Sequence, residues 1–194
     1  MFARFRDPYF AASVLAVVFV LTAFVYRVFF MAGTPPPTPP PVVPKLKEPG
    51  TEHSHASLLV MVGDRIVSFC DPKYMLKSPV VHFEDDNCLI VHKHARGVTL
   101  PVFFKTLDVG LTEKCLSLPG EEKKCDDGAY RLRVMWNGVE IPMADLPYRE
   151  IRDNDRILLN FGPEEGAMLK FKWNQVEPVP DYVRTEKMDA PPTK

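Results

Sequence analysis

All five histidines of the 194-residue chain fall between His53 and His94, as His53-Ser54-His55, as His82, and as His92-Lys93-His94. Along an extended strand, residues i and i+2 point to the same face. Each His-x-His can therefore present two imidazoles side by side, and two such pairs on neighbouring strands can bring four ring nitrogens together. His82 and Glu84 follow the same alternation on a third segment. Neutral imidazole suits zinc, copper, iron or nickel near pH 7, and a site needs three or four such donors. The candidate ligands are His53, His55, His92 and His94, with His82 or Glu84 completing or orienting the set. Zinc and copper are the leading ions. The acidic run Glu84-Asp85-Asp86 offers an oxygen ligand or an acceptor that orients a ring. Two other readings stand beside this one. The histidines could serve packing and hydrogen bonding alone, in a structural or protein-interaction module of a membrane-associated complex. They could also form a pH-sensitive cluster that repels itself once charged.

Other chemistry is thinly represented. Cys115 and Cys125 flank the short polar loop LSLPGEEKK, and an oxidising compartment would let them close it with a disulfide. Cys70 and Cys88 stay open at this level: a second bridge, free thiols, or thiolate ligands. A Cys-x-x-Cys redox motif is absent, as are a phosphate loop, Gly-x-Ser-x-Gly and His-Glu-x-x-His. A metal-dependent enzyme would need an open coordination position and a nearby base such as Glu84, and no reaction is indicated. Met135, Met143 and Met168 fit a core better than a set of soft copper ligands.

The elements that must position the histidines can be outlined from patterning. Residues 57–62 (SLLVMV) and 65–69 (RIVSF) surround Gly63-Asp64 and predict a hairpin. Residues 80–83 and 88–92 predict two strands around the acidic turn. TLPVFFKTL at 99–107 predicts a short helix, with Thr99 as N-cap, Pro101 in the first turn and Phe103, Phe104 and Leu107 on its buried face. Residues 130–136 and 139–142 flank Asn137-Gly138, a strong hairpin signal, and 156–161 (RILLNF) predicts a further strand. Residues 164–175 fit a closing helix with Met168, Leu169, Phe171 and Trp173 partly buried, although a strand also fits. Strands mixed with one or two helices define an α+β domain with a small mixed or antiparallel sheet.

This domain, 51–175, carries 16 Lys plus Arg and 19 Asp plus Glu, a net of -3, and the whole chain is at -1. That balance argues against a nucleic-acid partner. After a flank at 1–8, residues 9–32 form an apolar stretch long enough to span a bilayer, so the lipid bilayer is the expected partner. Arg27 near its end can snorkel toward the headgroups. Arg4 and Arg6 ahead of it favour a cytoplasmic N-terminus, which exports the rest of the chain. The stretch is long for a cleaved signal and lacks a clear cleavage site, so an uncleaved single-pass anchor in the cell membrane is expected. The chain has 20 prolines, about twice the usual share of about 5%. Many lie in TPPPTPPPVVP at 34–44, which favours stiff polyproline II. Residues 33–50 are therefore expected to be a spacer, and 176–194, rich in proline and charge, a mobile tail.

The stretch EHSHASLLVMVGDRIVSF, followed by VVHFEDDNCLIVHKHARGVTLPVFFKTL, resembles a prokaryotic family of membrane-anchored, exported proteins with archaeal and candidate-phylum members. The likeness covers residues 52–107. It rests on His-x-His-Ala, a hydrophobic strand with a Gly turn, His-x-Glu-Asp, Ile-x-His-x-His and Thr-Leu-x-x-Phe-Phe. His53, His55, His82, Glu84, His92 and His94 stand at its motif positions. Some members carry an automatic disulfide-isomerase label, but the cysteine pair such an activity needs is missing here. The resemblance implies anchoring and export and carries over no activity. RLRVMWNGVEI with NDRILLNFG is similar to the end of small β-grasp modules. Each half of the domain, 51–110 and 111–175, opens with a hairpin, so two β-grasp-like halves are one arrangement to expect.

Overall fold

The computed structural model describes residues 8–30, 40–85 and 87–183. The chain divides into two units, Met1–Pro40 and Pro41–Lys194. In the first, helix α1 (Pro8–Phe30) contains a window, Tyr9–Arg27, with a mean hydropathy of 2.2. It is long and apolar enough to cross a membrane. The expected anchor at 9–32 thus coincides with a helix that ends at Phe30, and residues 31–32 lie outside the described residues, as do 33–39 of the spacer.

The second unit is an α+β domain around one seven-stranded mixed sheet. Its strands are β1 (Ser54–Val62), β2 (Arg65–Ile66), β3 (Val81–Glu84), β4 (Asn87–Lys93), β8 (Arg131–Trp136), β9 (Val139–Ile141) and β10 (Arg156–Gly162). Three short strands, β5 (Gly110–Leu111), β6 (Cys115–Ser117) and β7 (Lys124–Cys125), form a separate small sheet. The main order is β3-β4-β1-β10-β8-β9, with β2 pairing the far end of β1. The central neighbours β1 and β10 run parallel, Leu58 opposite Ile157 and Val60 opposite Leu159. The halves 51–110 and 111–175 share one continuous sheet, and a β-grasp duplication is not evident among the described residues. The strands of 51–110 (β3-β4-β1, with β2) and those of 111–175 (β10-β8-β9) lie side by side and join at the β1–β10 pair, where both apolar strands are buried on both faces.

Alternation along β1 divides its side chains between two layers. Ala56, Leu58 and Val60 join Phe83, Val91, Val134 and Ile157 in the larger core. Helix α2 (Leu100–Thr106) covers that core with Phe103 and Phe104, both fully buried. Thr99 stands at the N-cap of α2 as expected, but its hydroxyl makes no capping bond there. On the other face Leu59, Met61, Met135 and Leu158 meet helix α3 (Gly166–Trp173) through Leu169 and Trp173. The expected buried face of this helix is half corrected: Met168 and Phe171 are exposed. Lys172 is buried in their place, its ammonium donating to Gly63 O at 2.6 Å and to Glu164 at 2.6 Å.

Both ends of the domain extend past their expected limits. Val176 packs with Leu59 and Trp173, and Val179 and Val183 pack on Ile90, so the tail does not begin at 176. Apolar valines spaced among the prolines and charges cover the sheet face there; 184–194 lie outside the described residues. At the other end the spacer is docked before it reaches 51. Lys47 N–H donates to Arg96 O and Gly50 N–H to His94 O, at 3.0 and 2.7 Å. All four cysteines are bridged, Cys70 to Cys88 and Cys115 to Cys125. The second bridge links residues directly opposite each other in β6 and β7, and the first removes Cys70 and Cys88 as thiolate ligands.

Gly97 allows this docking. It sits at φ +82°, and a Cβ there would stand 2.3 Å from Lys45 O. Gly97→Ala combines left-handed strain with a clash against backbone, and should cost about 2 kcal/mol or more. A urea unfolding midpoint equal to that of the wild type would show that residues 45–50 are not held against this turn.

Candidate metal centre

Strand β4 is paired on both edges. His92 lies opposite His55 of β1 and also opposite His82 of β3. Three imidazoles thus form a row across adjacent strands. The flanking register, Ser54 opposite Lys93, carries His53 and His94 to the next same-face position. All five rings fall on the face that also bears Ile90 and Leu59. They close into a loop: His53 to His55 at 4.8 Å between centroids, His55 to His92 at 4.6 Å, and His92 to His82 at 6.3 Å. His82 to His94 at 4.9 Å and His94 to His53 at 5.0 Å complete it. His55, His82 and His92 are buried, and His53 and His94 are half-buried.

Backbone and side-chain bonds hold the rings in place. The His55 N–H donates to Asp153 Oδ1 at 3.0 Å, and its carbonyl accepts from Asn154 N–H at 2.7 Å. His94 is tied through its N–H to Val80 O and through its carbonyl to Gly50 N–H. His82 Nδ1 lies 2.7 Å from Ser78 O. A carbonyl only accepts, so Nδ1 carries the proton and Nε2 is the free donor atom of a neutral ring. That Nε2 faces Glu84 Oε2 at 3.0 Å, and His92 Nδ1 closely approaches Glu84 Oε1. Wherever both facing atoms carry lone pairs, the contact calls for a proton or a metal ion. The pairing between β3 and β4 shifts register between His82 and Glu84, a local irregularity at the carboxylate.

Burial, followed by the neighbouring His55, His82, His94 and His53, pushes the His92 pKa down to about 3. His94 is also lowered, again by burial first and then by His82 and His53, with Glu84 opposing. These two rings keep their lone pairs at neutral pH, the state in which imidazole binds a metal. Two groups of side chains can each hold an ion: His53, His55 and His92, and His82, Glu84 and His94. All six residues singled out by spacing are therefore in one cluster, but the grouping differs from the expected one. His94 joins His82 and Glu84 across β3 rather than completing a foursome with His53, His55 and His92. Asp85 belongs to neither group, and Asp86 lies outside the described residues.

Three positioning residues were missed by spacing alone. Ser78 acts through its carbonyl and Asp153 through a loop distant in sequence, so neither leaves a local signal. Lys93 leaves one. Lying between His92 and His94, it must point to the opposite, core-facing side of the sheet, where a cation needs partners. Its ammonium donates to Ile151 O at 2.6 Å, Glu150 at 2.9 Å and Glu52 at 3.0 Å. Glu150 also accepts from Gly97 N–H, so one carboxylate braces β4 and the turn after it. No protein-family model, curated protein or solved structure matches the chain.

The depressed His92 pKa has a definite consequence for stability. Below about pH 6.5 the unfolded chain takes up a proton that the folded ring refuses. The contribution is complete above pH 6.5 and is lost as the pH falls toward about 3. Resistance of the metal-free protein to urea should therefore fall between pH 6.5 and 5, before most carboxylates titrate, and His92→Gln should flatten that slope. Identical slopes in the two proteins would contradict the burial of a neutral ring.

Proposed function

We propose that this protein is a single-pass membrane protein whose exported domain binds a transition metal, zinc or copper, in order to buffer, deliver or sense it. The observation that carries the reading is the convergence of five imidazoles and one carboxylate on one face of three adjacent strands. Structural clusters seldom bury several rings whose charged forms repel; neutral nitrogen donors at this density suit a borderline cation. The ligands we assign are His53, His55, His82, Glu84, His92 and His94. Ser78 O fixes which nitrogen of His82 is free, an outer contact typical of ligating histidines.

The exported setting is supported by α1, by the two disulfides, and by the likeness of residues 52–107 to anchored, exported prokaryotic proteins. The order β2-β1-β10-β8-β9, with α2 across one face, supports a single β-grasp-like sheet to which β3 and β4 add the histidine strands.

Two measurements test the reading. Full-length protein in detergent, stripped with a chelator and incubated with zinc or copper(I), should retain metal through desalting. Replacing His53, His55, His92 and His94 together by alanine should reduce retention at least tenfold. Undiminished retention would reject the ligand set, and no retention by the wild type would favour an interaction module instead. In intact cells, added protease should digest the C-terminal domain; its protection would overturn the assigned orientation.

A further inference from the structure

Resting on the metal-binding reading above, we propose that the cluster is built for two ions rather than one. The ligand atoms of His53, His55 and His92 lie within 4.8 Å of one another, and those of His82, Glu84 and His94 do the same. The two trios share no residue. A zinc ion takes about four ligands at about 2 Å, so one tetrahedral ion would leave at least two of the six donors unused. The wide side of the ring loop, 6.3 Å between His82 and His92, falls between the trios. On the narrow side His53 and His94 stand 5.0 Å apart and bring the trios together.

Glu84 gives the second independent observation. Its two oxygens face different trios, Oε1 toward His92 and Oε2 toward His82. A carboxylate that spans two ligand groups is suited to bridge a pair of cations, as in two-metal sites where the ions lie about 3.5–4 Å apart. The bridge places one negative charge between two positive ions. With Glu84 bridging, the His53, His55 and His92 ion has four protein donors, while the His82, Glu84 and His94 ion has three and leaves a coordination position for water or a small exchangeable ligand.

The test counts ions. Metal-free, full-length protein in detergent is titrated with zinc alone, desalted and analysed by elemental mass spectrometry. Two zinc ions per chain are expected. His53→Ala and His94→Ala, each removing a half-buried ring from a different trio, should retain one apiece. Saturation of the wild type at one ion, retention of two by both variants, or loss of both ions from either folded variant would overturn the proposal. Zero ions in the wild type would instead overturn the metal-binding reading itself. Copper(II) loading provides a measurement that needs no variant. A spin-coupled pair with a half-field resonance is expected, and only isolated copper signals at saturation would refute the pairing of sites.

Discussion

The double pairing of β4, with β1 on one edge and β3 on the other, is the constraint on which the histidine cluster depends. Hydrogen-bonded registers place His92 opposite both His55 and His82, and a slip of one residue would send these rings to the opposite face. Among the described residues, the irregularity between His82 and Glu84 is the departure from a uniform ladder in this part of the sheet. It lies where a carboxylate must reach two rings at once. Loops distant in sequence reinforce the register: Asp153 and Asn154 clasp the backbone of His55, while Gly50 and Val80 clasp that of His94.

Such a cluster is expensive for the fold. Buried imidazoles lose hydration and cannot be charged together, which is why the His92 pKa falls so far. The same strand also buries Lys93 toward the main core, where two half-buried carboxylates and a backbone carbonyl satisfy its ammonium. β4 therefore carries demanding polar groups on both faces. Phe83, Phe103 and Phe104 below it, and Val179 and Val183 packed on its own Ile90 above, supply apolar burial that offsets this. The two disulfides add covalent constraint, and one of them joins Cys88 of β4 to Cys70.

Much of the local structure was legible because it rests on short-range physics. Asn137-Gly138 adopts left-handed φ angles of +51° and +84° between β8 and β9, as a two-residue hairpin turn demands. The apolar helix α1 follows from hydropathy alone, and α2 from its Pro-containing first turn and aromatic face. The limits of the domain were less legible. Residues 45–50 and 176–183 have the proline-rich, charged composition of linkers, and composition says nothing about the few backbone bonds and spaced valines that dock them.

The amino-acid sequence by itself determined the identity of the donors and the face each strand would give them, because side chains alternate along an extended backbone wherever it folds. Only the tertiary structure decided how those donors group. The grouping depends on which strands become neighbours, and the parallel contact of β1 with β10, nearly a hundred residues away, is a long-range packing choice that no local pattern encodes. The same choice delivers Asp153 to the backbone of His55 and Glu150 to Lys93.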